Sequence, residues 1–146
     1  MTNDKFRYLE NIATADLAFE AFGKDYSELF ENAALALESS MVELSSLGST
    51  ISKNVRLESE NLDGLLFIFL EELVFLKDAE QLLFNQIKCE AEKGVRGWRL
   101  EASLTGEKID RARHKFGTDV KAVTKHLFKV EKLRNKTYHC LVVLDI

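Results

Sequence analysis

The spacing of hydrophobic positions changes several times along this chain, and each change marks an element. Leu17, Phe19 and Ala21 recur at every second position between Asp16 and Phe22, the period of a strand. A shorter stretch, Phe6 to Glu10, reads as a strand before it. Gly23-Lys24 then turns the chain, and Asp25-Tyr26-Ser27-Glu28 has the form of an acidic capping box. In such a box Asp25 accepts from the Glu28 N–H while Glu28 reaches back. The period now lengthens: Leu29, Ala33, Leu37, Met41 and Leu44 stand four, four, four and three residues apart. That is the buried stripe of one helix, expected to stop near Gly48.

Alternation returns from Ile51 to Glu60 through Val55 and Leu57, a strand. Asn61 is placed to cap a second helix, Leu62 to Lys77. Its centre, Leu65 to Leu70, is apolar nearly all round, so the helix should be deeply buried, with Glu71, Glu72 and Asp78 on the wet side. Everything after this reads as strand. Leu82 to Glu92 buries Phe84 and then Ile87, Cys89 and Ala91, and the change of parity near Gln86 predicts a bulge. Gly94 and Gly97 bracket a turn. Trp98, Leu100, Ala102 and Leu104 alternate with Arg99, Glu101 and Ser103, a half-buried strand. A long connection is expected from Thr105 to Gly117, then extended chain from Thr118 to Leu133 and a turn at Arg134-Asn135-Lys136. The chain closes on His139-Cys140-Leu141-Val142-Val143-Leu144-Asp145-Ile146, a buried strand by its β-branched and large apolar residues. Both helices come early and hairpins dominate later. The expected fold class is α+β: two helices packed on a mainly antiparallel sheet of about six or seven strands, in a single compact domain over residues 1–146.

Composition narrows this little. The 146 residues suit one domain with its own core, 46% apolar and 30% charged. No apolar run approaches the roughly 20 residues of a membrane span, and Met1 to Lys5 lacks the apolar stretch of a signal peptide. Cys89 and Cys140 have no metal-type spacing and are expected as free core thiols, which points to the cytoplasm. Charge adds more. Between Lys108 and Lys136 ten Lys or Arg face three acids, so that segment carries +7 while the whole chain carries −4. Such a segment is either a basic surface for an acidic partner or nucleic acid, or the solvated outer face of a sheet.

Standard catalytic motifs are missing. There is no phosphate-binding glycine loop, no nucleophile elbow, and no zinc-like spacing among His114, His126 and His139. His126 and His139 are placed to face each other across the final hairpin. Oxygen ligands suit hard cations, and the candidates are Asp16 at the start of its strand, Asp145 and the Ile146 carboxylate. The alternative is that these anions simply point into solvent, and spacing alone does not bring Asp16 to Asp145.

Several pieces of the sequence, in order, resemble the archease family. They are Ala15-Asp16, then Gly23-Lys24 with Glu28-Leu29-Phe30-Glu31-Asn32-Ala33-Ala34, then Leu65-Leu66-Phe67-Ile68-Phe69-Leu70-Glu71-Glu72-Leu73. Gly106-Glu107-Lys108-Ile109-Asp110-Arg111-Ala112-Arg113-His114, Asp119-Val120-Lys121-Ala122 and Val142-Val143-Leu144-Asp145-Ile146 complete the match. The resemblance implies a small α+β protein, not itself an enzyme, that activates an RtcB-type RNA ligase in tRNA splicing and RNA repair. It would promote guanylation of the ligase and its multiple turnover. It also implies a divalent-metal site, with calcium the expected ion, on Asp16, Asp145 and Ile146, and a ligase-facing role for Lys121. A structural pairing of Lys121 with Asp16 or Asp145 is the alternative. The sequence departs from the family where an Asp and a His commonly precede the Thr-Ala-Asp: here Ile12-Ala13 stand before Thr14-Ala15-Asp16. A different class of function is an RNA-binding or chaperone-like module using the basic 108–136 segment, since Lys and Arg gain affinity by releasing counterions from phosphates. A small metal-assisted hydrolase is a third, without a nucleophile or specificity element to support it.

Overall fold

A computed structural model describes residues 5–10 and 16–146. Its elements run β1 (Phe6–Leu9), β2 (Asp16–Gly23), α1 (Tyr26–Met41), a 3-10 turn (Leu44–Ser46), β3 (Ile51–Ser59), α2 (Leu62–Glu80), β4 (Leu82–Lys93), β5 (Trp98–Lys108), β6 (Ala122–Lys132) and β7 (Tyr138–Asp145). The two helices and seven antiparallel strands of the α+β expectation are present, with the strands divided between two sheets. One has the order β1-β2-β7-β6 and the other β3-β5-β4. β7, last in sequence, is central in its sheet, between β2 and β6.

Both helix starts follow from their caps. The Asp25 carboxylate accepts from the Glu28 N–H at 2.8 Å, and Glu28 reaches back to the Lys24 N–H at 3.1 Å. Asn61 Oδ1 accepts from the Gly64 N–H at 2.7 Å. Orphan first-turn donors are thereby satisfied. α1 ends at Met41, earlier than the stripe suggested, because Val42 turns to extended backbone and makes an isolated bridge with Phe116. α2 runs three residues past Lys77 and closes on Gln81 in the left-handed conformation, φ 58°.

The helices seal the sheets. Phe30, Leu37, Leu66, Phe69, Leu70 and Leu73 are fully buried, and Phe30 stacks on Phe69 with ring centroids 6.2 Å apart. α1 also covers the outer edge of β4. Three of its side chains accept from main-chain N–H groups along that edge: Ser27 from Ala91, Glu31 from Cys89, and Glu38 from Phe84, at 2.8 to 3.0 Å. An uncovered strand edge is a row of unpaired donors and acceptors. Side chains at 27, 31 and 38 lie on one side of the helix, so α1 replaces a neighbouring strand.

Two further expectations need correcting. Thr105 to Lys108 does not belong to the connection; β5 continues through it. Gly106 sits where a Cβ would lie 2.0 Å from the Leu83 carbonyl oxygen, so only glycine lets β4 and β5 stay this close, beside the β4 irregularity between Phe84 and Gln86. His126 does not face His139. The register sets His139 opposite Glu131, and His126 lies in an irregular stretch of β6.

Candidate functional site

Three strand ends meet at one edge of the four-stranded sheet. β2 begins where β7 ends, so Asp16 is the register partner of Asp145. On the other side, Ala122 at the start of β6 is the second partner of Asp145. Register partners in an antiparallel pair lie about 4.5–5.5 Å apart at Cα. This topology joins residues separated by almost the whole chain, which no local pattern could do. Leu144 is fully buried, Asp145 is exposed, and the half-buried Ile146 packs against the core. The alternation of β7 thus turns one carboxylate outward and anchors the residue after it by an apolar side chain. Asp16 is half-buried and Lys121 exposed.

The main chain at this edge is held from behind. The Lys121 N–H donates to the Asp145 carbonyl oxygen at 2.8 Å. The segment before Lys121 is fixed by Lys77, a lysine 8% exposed on the inner side of α2. Its Nζ donates to the Val120 carbonyl at 2.6 Å and to Asp119 Oδ1 at 2.8 Å, with Asp78 at 3.1 Å. Burial pulls the Lys77 pKa down, but the hydrogen bonds and charges of Asp119 and Asp78 outweigh it and raise the pKa. Lys77 carries the order of α2 to the strand end that grips Asp145. The sequence reading passed over it, although its phase gave a signal: Leu66, Leu70 and Leu73 lead to 77 along the same apolar stripe.

The loop that leads to this segment is stapled at its start. Glu107, near the end of β5, accepts from the Gly48 N–H at 2.9 Å, from Arg113, and from His114 Nε2 at 2.6 Å. His114 Nδ1 accepts from the Asp110 N–H, so Nε2 carries the proton donated to Glu107. The Gly48 hydrogen bond first, then those of Arg113 and His114, lower the Glu107 pKa to about 2. Gly106, Glu107 and His114 of the family-like motif therefore have structural work to do: a close strand approach and a loop anchor.

Other reactive-looking groups are occupied or shielded. His139 is clasped on both ring nitrogens, by Glu20 at 2.9 Å and Glu131 at 2.8 Å. Burial pushes the Cys140 thiol up to about 12 and raises the Cys89 thiol as well, so neither is a nucleophile at neutral pH. Both cysteines are free and buried, as expected. Among the described residues no group of three His, Cys, Asp or Glu side chains is arranged to hold a metal ion. The residue types at this edge still suit a hard cation: Asp16 and Asp145 are register partners that each carry a carboxylate, and the Ile146 carboxylate would be a third oxygen donor. Three protein groups fall short of the six to eight oxygens calcium takes, so water or a partner would complete the shell. The Ile12-Ala13 departure lies outside the described residues.

No described helix is long and apolar enough to cross a membrane. Two sheets sealed by two helices, with Asp16 and Asp145 as register partners where β2 begins and β7 ends, define a small α+β protein. The model of the Archease protein family (MTH1598/TM1083) matches residues 6–146, and the chain belongs to that family. It is 36% identical over 133 residues to Protein archease of Pyrococcus abyssi, covering 91% of this chain and 94% of that protein. It is 37% identical over 142 residues to Protein archease of Archaeoglobus fulgidus, covering 97% and 99%. The solution structure of Methanobacterium thermoautotrophicum protein 1598 superposes with a TM-score of 0.87 at 33% identity, over 99% of this chain and 100% of that one.

Proposed function

We propose that this protein activates an RtcB-type RNA ligase in tRNA splicing and RNA repair, in the cytoplasm, without catalysis of its own. The observation that carries this is the pairing of Asp16 with Asp145 across β2 and β7, next to Ile146, in a chain of the archease family. Asp16, Asp145 and the Ile146 carboxylate would hold a divalent cation, with calcium the expected ion. When bound, the cation supplies positive charge against phosphate oxygens, the charge that guanylation of the ligase has to offset.

The protein's own residues do the positioning. Ile146 packs on the core, and the Lys121 N–H fixes the Asp145 main chain, so the carboxylates are presented with little freedom left to lose on docking. Lys121, exposed beside them, would meet the ligase. The anionic edge would enter the nucleotide pocket of the ligase and withdraw after guanylation, leaving the enzyme ready for the next turnover.

A separate RNA-binding module on residues 108–136 is less well supported. Single-strand binders offer aromatic platforms to successive bases. Here Phe128 packs edge-on against Phe67, and Tyr138 lies against Tyr26, which meets Trp98. Of the aromatics near the basic segment, Phe116 is the exposed one, with the Arg111 guanidinium over its ring.

The test is multiple-turnover RNA ligation by the cognate ligase with substoichiometric amounts of this protein. Wild type should restore turnover. D16A and D145A should fail while melting like wild type. Adding one residue after Ile146 shifts the terminal carboxylate by roughly 3.3 Å, one strand residue, and should also fail. An active cognate ligase that ignores the wild-type protein would refute the proposal.

A further inference from the structure

The sheet edges of this molecule are treated differently. The β4 edge is covered by α1. β6 is the outer strand of the four-stranded sheet, and it breaks its own ladder. Five steps along β6, from Thr124 to Lys129, span two steps along β7, from Val143 to Leu141, so three extra residues stand out of register. Among them Leu127 has φ 57° and is 53% exposed. A positive φ is strained for a leucine, and no glycine or asparagine relieves it here. The bulge is nonetheless fixed from below: Phe128 meets the Phe67 ring of α2 at 5.4 Å, and Lys125 Nζ lies 5.0 Å over the same ring. α2 thus holds the flanks of the bulge while the leucine stays outside.

The surroundings are basic. From Lys121 to Lys136 there are six Lys or Arg and one acid. That acid, Glu131, is engaged by His139 and Lys129. A bulge and lysines alone would suffice to keep a strand edge from pairing with another chain. They do not require an exposed leucine in a strained conformation, and strain held in place by its surroundings marks functional positions.

We propose that Leu127 is an apolar anchor for the ligase, fitting a recess rimmed by carboxylates. A phosphate backbone offers nothing to a leucine side chain, whereas an apolar pocket ringed by acids complements both the knob and its lysines. Leu127 lies beside Val143 to Leu141 of β7, two to four residues from Asp145, or roughly 7–14 Å along the strand. A partner that takes the Asp16–Asp145 edge therefore reaches the bulge as well. The proposal rests on the ligase reading and adds to it: the carboxylate edge acts on the ligase, and the bulge sets how tightly it is held.

The experiment measures binding of fluorescently labelled protein to purified cognate ligase, and the concentration giving half-maximal multiple-turnover ligation, for wild type, L127N and L127M. Asparagine tolerates positive φ, so L127N should melt at or above the wild-type temperature. It should bind at least tenfold more weakly and need at least tenfold more protein for half-maximal ligation. L127M, which keeps an apolar tip, should stay within threefold of wild type. A labelled single-stranded RNA is titrated in parallel. Wild-type affinity and half-maximal concentration in L127N would overturn the anchor and leave the ligase reading standing. Loss of RNA binding with ligase binding intact would make the bulge an RNA contact and overturn the proposal. Wild type failing to bind the ligase at all would overturn both.

Discussion

Glu38 gives the sharpest check on how the fold is held together. It is fully buried on α1, where Oε1 accepts from the Phe84 N–H at 3.0 Å and Oε2 has no hydrogen-bond partner. Burial raises its pKa from 4.5 to about 8, although the Phe84 N–H and the Lys77 charge pull the other way. The native protein therefore holds a neutral carboxylic acid at pH 7, while the unfolded chain ionises. Because the native pKa is the higher one, the contribution of Glu38 to stability is fully present below pH 4.5. It is lost progressively up to about pH 8. Each pH unit in that window costs about 1.4 kcal/mol, about 5 kcal/mol in all. The substitution E38Q keeps a side-chain carbonyl to accept from Phe84 and leaves no proton to lose. Urea unfolding of wild type and E38Q at pH 4, 5, 6, 7 and 8 gives the stability difference with all other titrations cancelled. Wild type should lose ground to E38Q steadily above pH 4.5, so that the difference between pH 4 and pH 8 approaches about 5 kcal/mol. A difference that stays flat with pH would refute the reasoning, because Glu38 would then be ionised in the native state, held by Lys77 against the cost of burial.

Two further substitutions test the supports of the site. K77M keeps an unbranched apolar stem but leaves the Val120 carbonyl without its donor, which should cost about 2 kcal/mol in urea unfolding. It should also speed hydrogen exchange at the Lys121 amide, which donates to Asp145; unchanged exchange there would separate Lys77 from the site. G106A would set a Cβ 2.0 Å from the Leu83 carbonyl oxygen and 2.6 Å from Phe84 Cα, both main-chain atoms. The strands must part, at a cost of about 1–3 kcal/mol or more, read as a lower melting temperature. Wild-type melting would mean that the two strands have slack.

What the sequence determined by itself was local. Periods of two and near four placed six or seven strands and two helices, because a strand or helix that buries one face must repeat its apolar residues at its own pitch. Asp25 and Asn61 marked the helix starts because capping acts within three or four residues. The parity change near Gln86 foretold the β4 irregularity for the same local reason. The candidate ligands could be named from residue type and family resemblance, but their meeting could not be read from spacing. Only the tertiary structure set β7 between β2 and β6, and so made Asp145 the neighbour of both Asp16 and Ala122. Strand order depends on the summed packing of the whole core, not on any one segment. The same holds for the polar groups inside. Lys77 and Glu38 continue apolar stripes as if they were core residues, and nothing nearby in sequence names their partners. Lys77 finds Val120, and Glu38 finds Phe84, only when helix and strand close on each other. A buried polar group must find a partner, and here those partners lie more than 40 residues away along the chain.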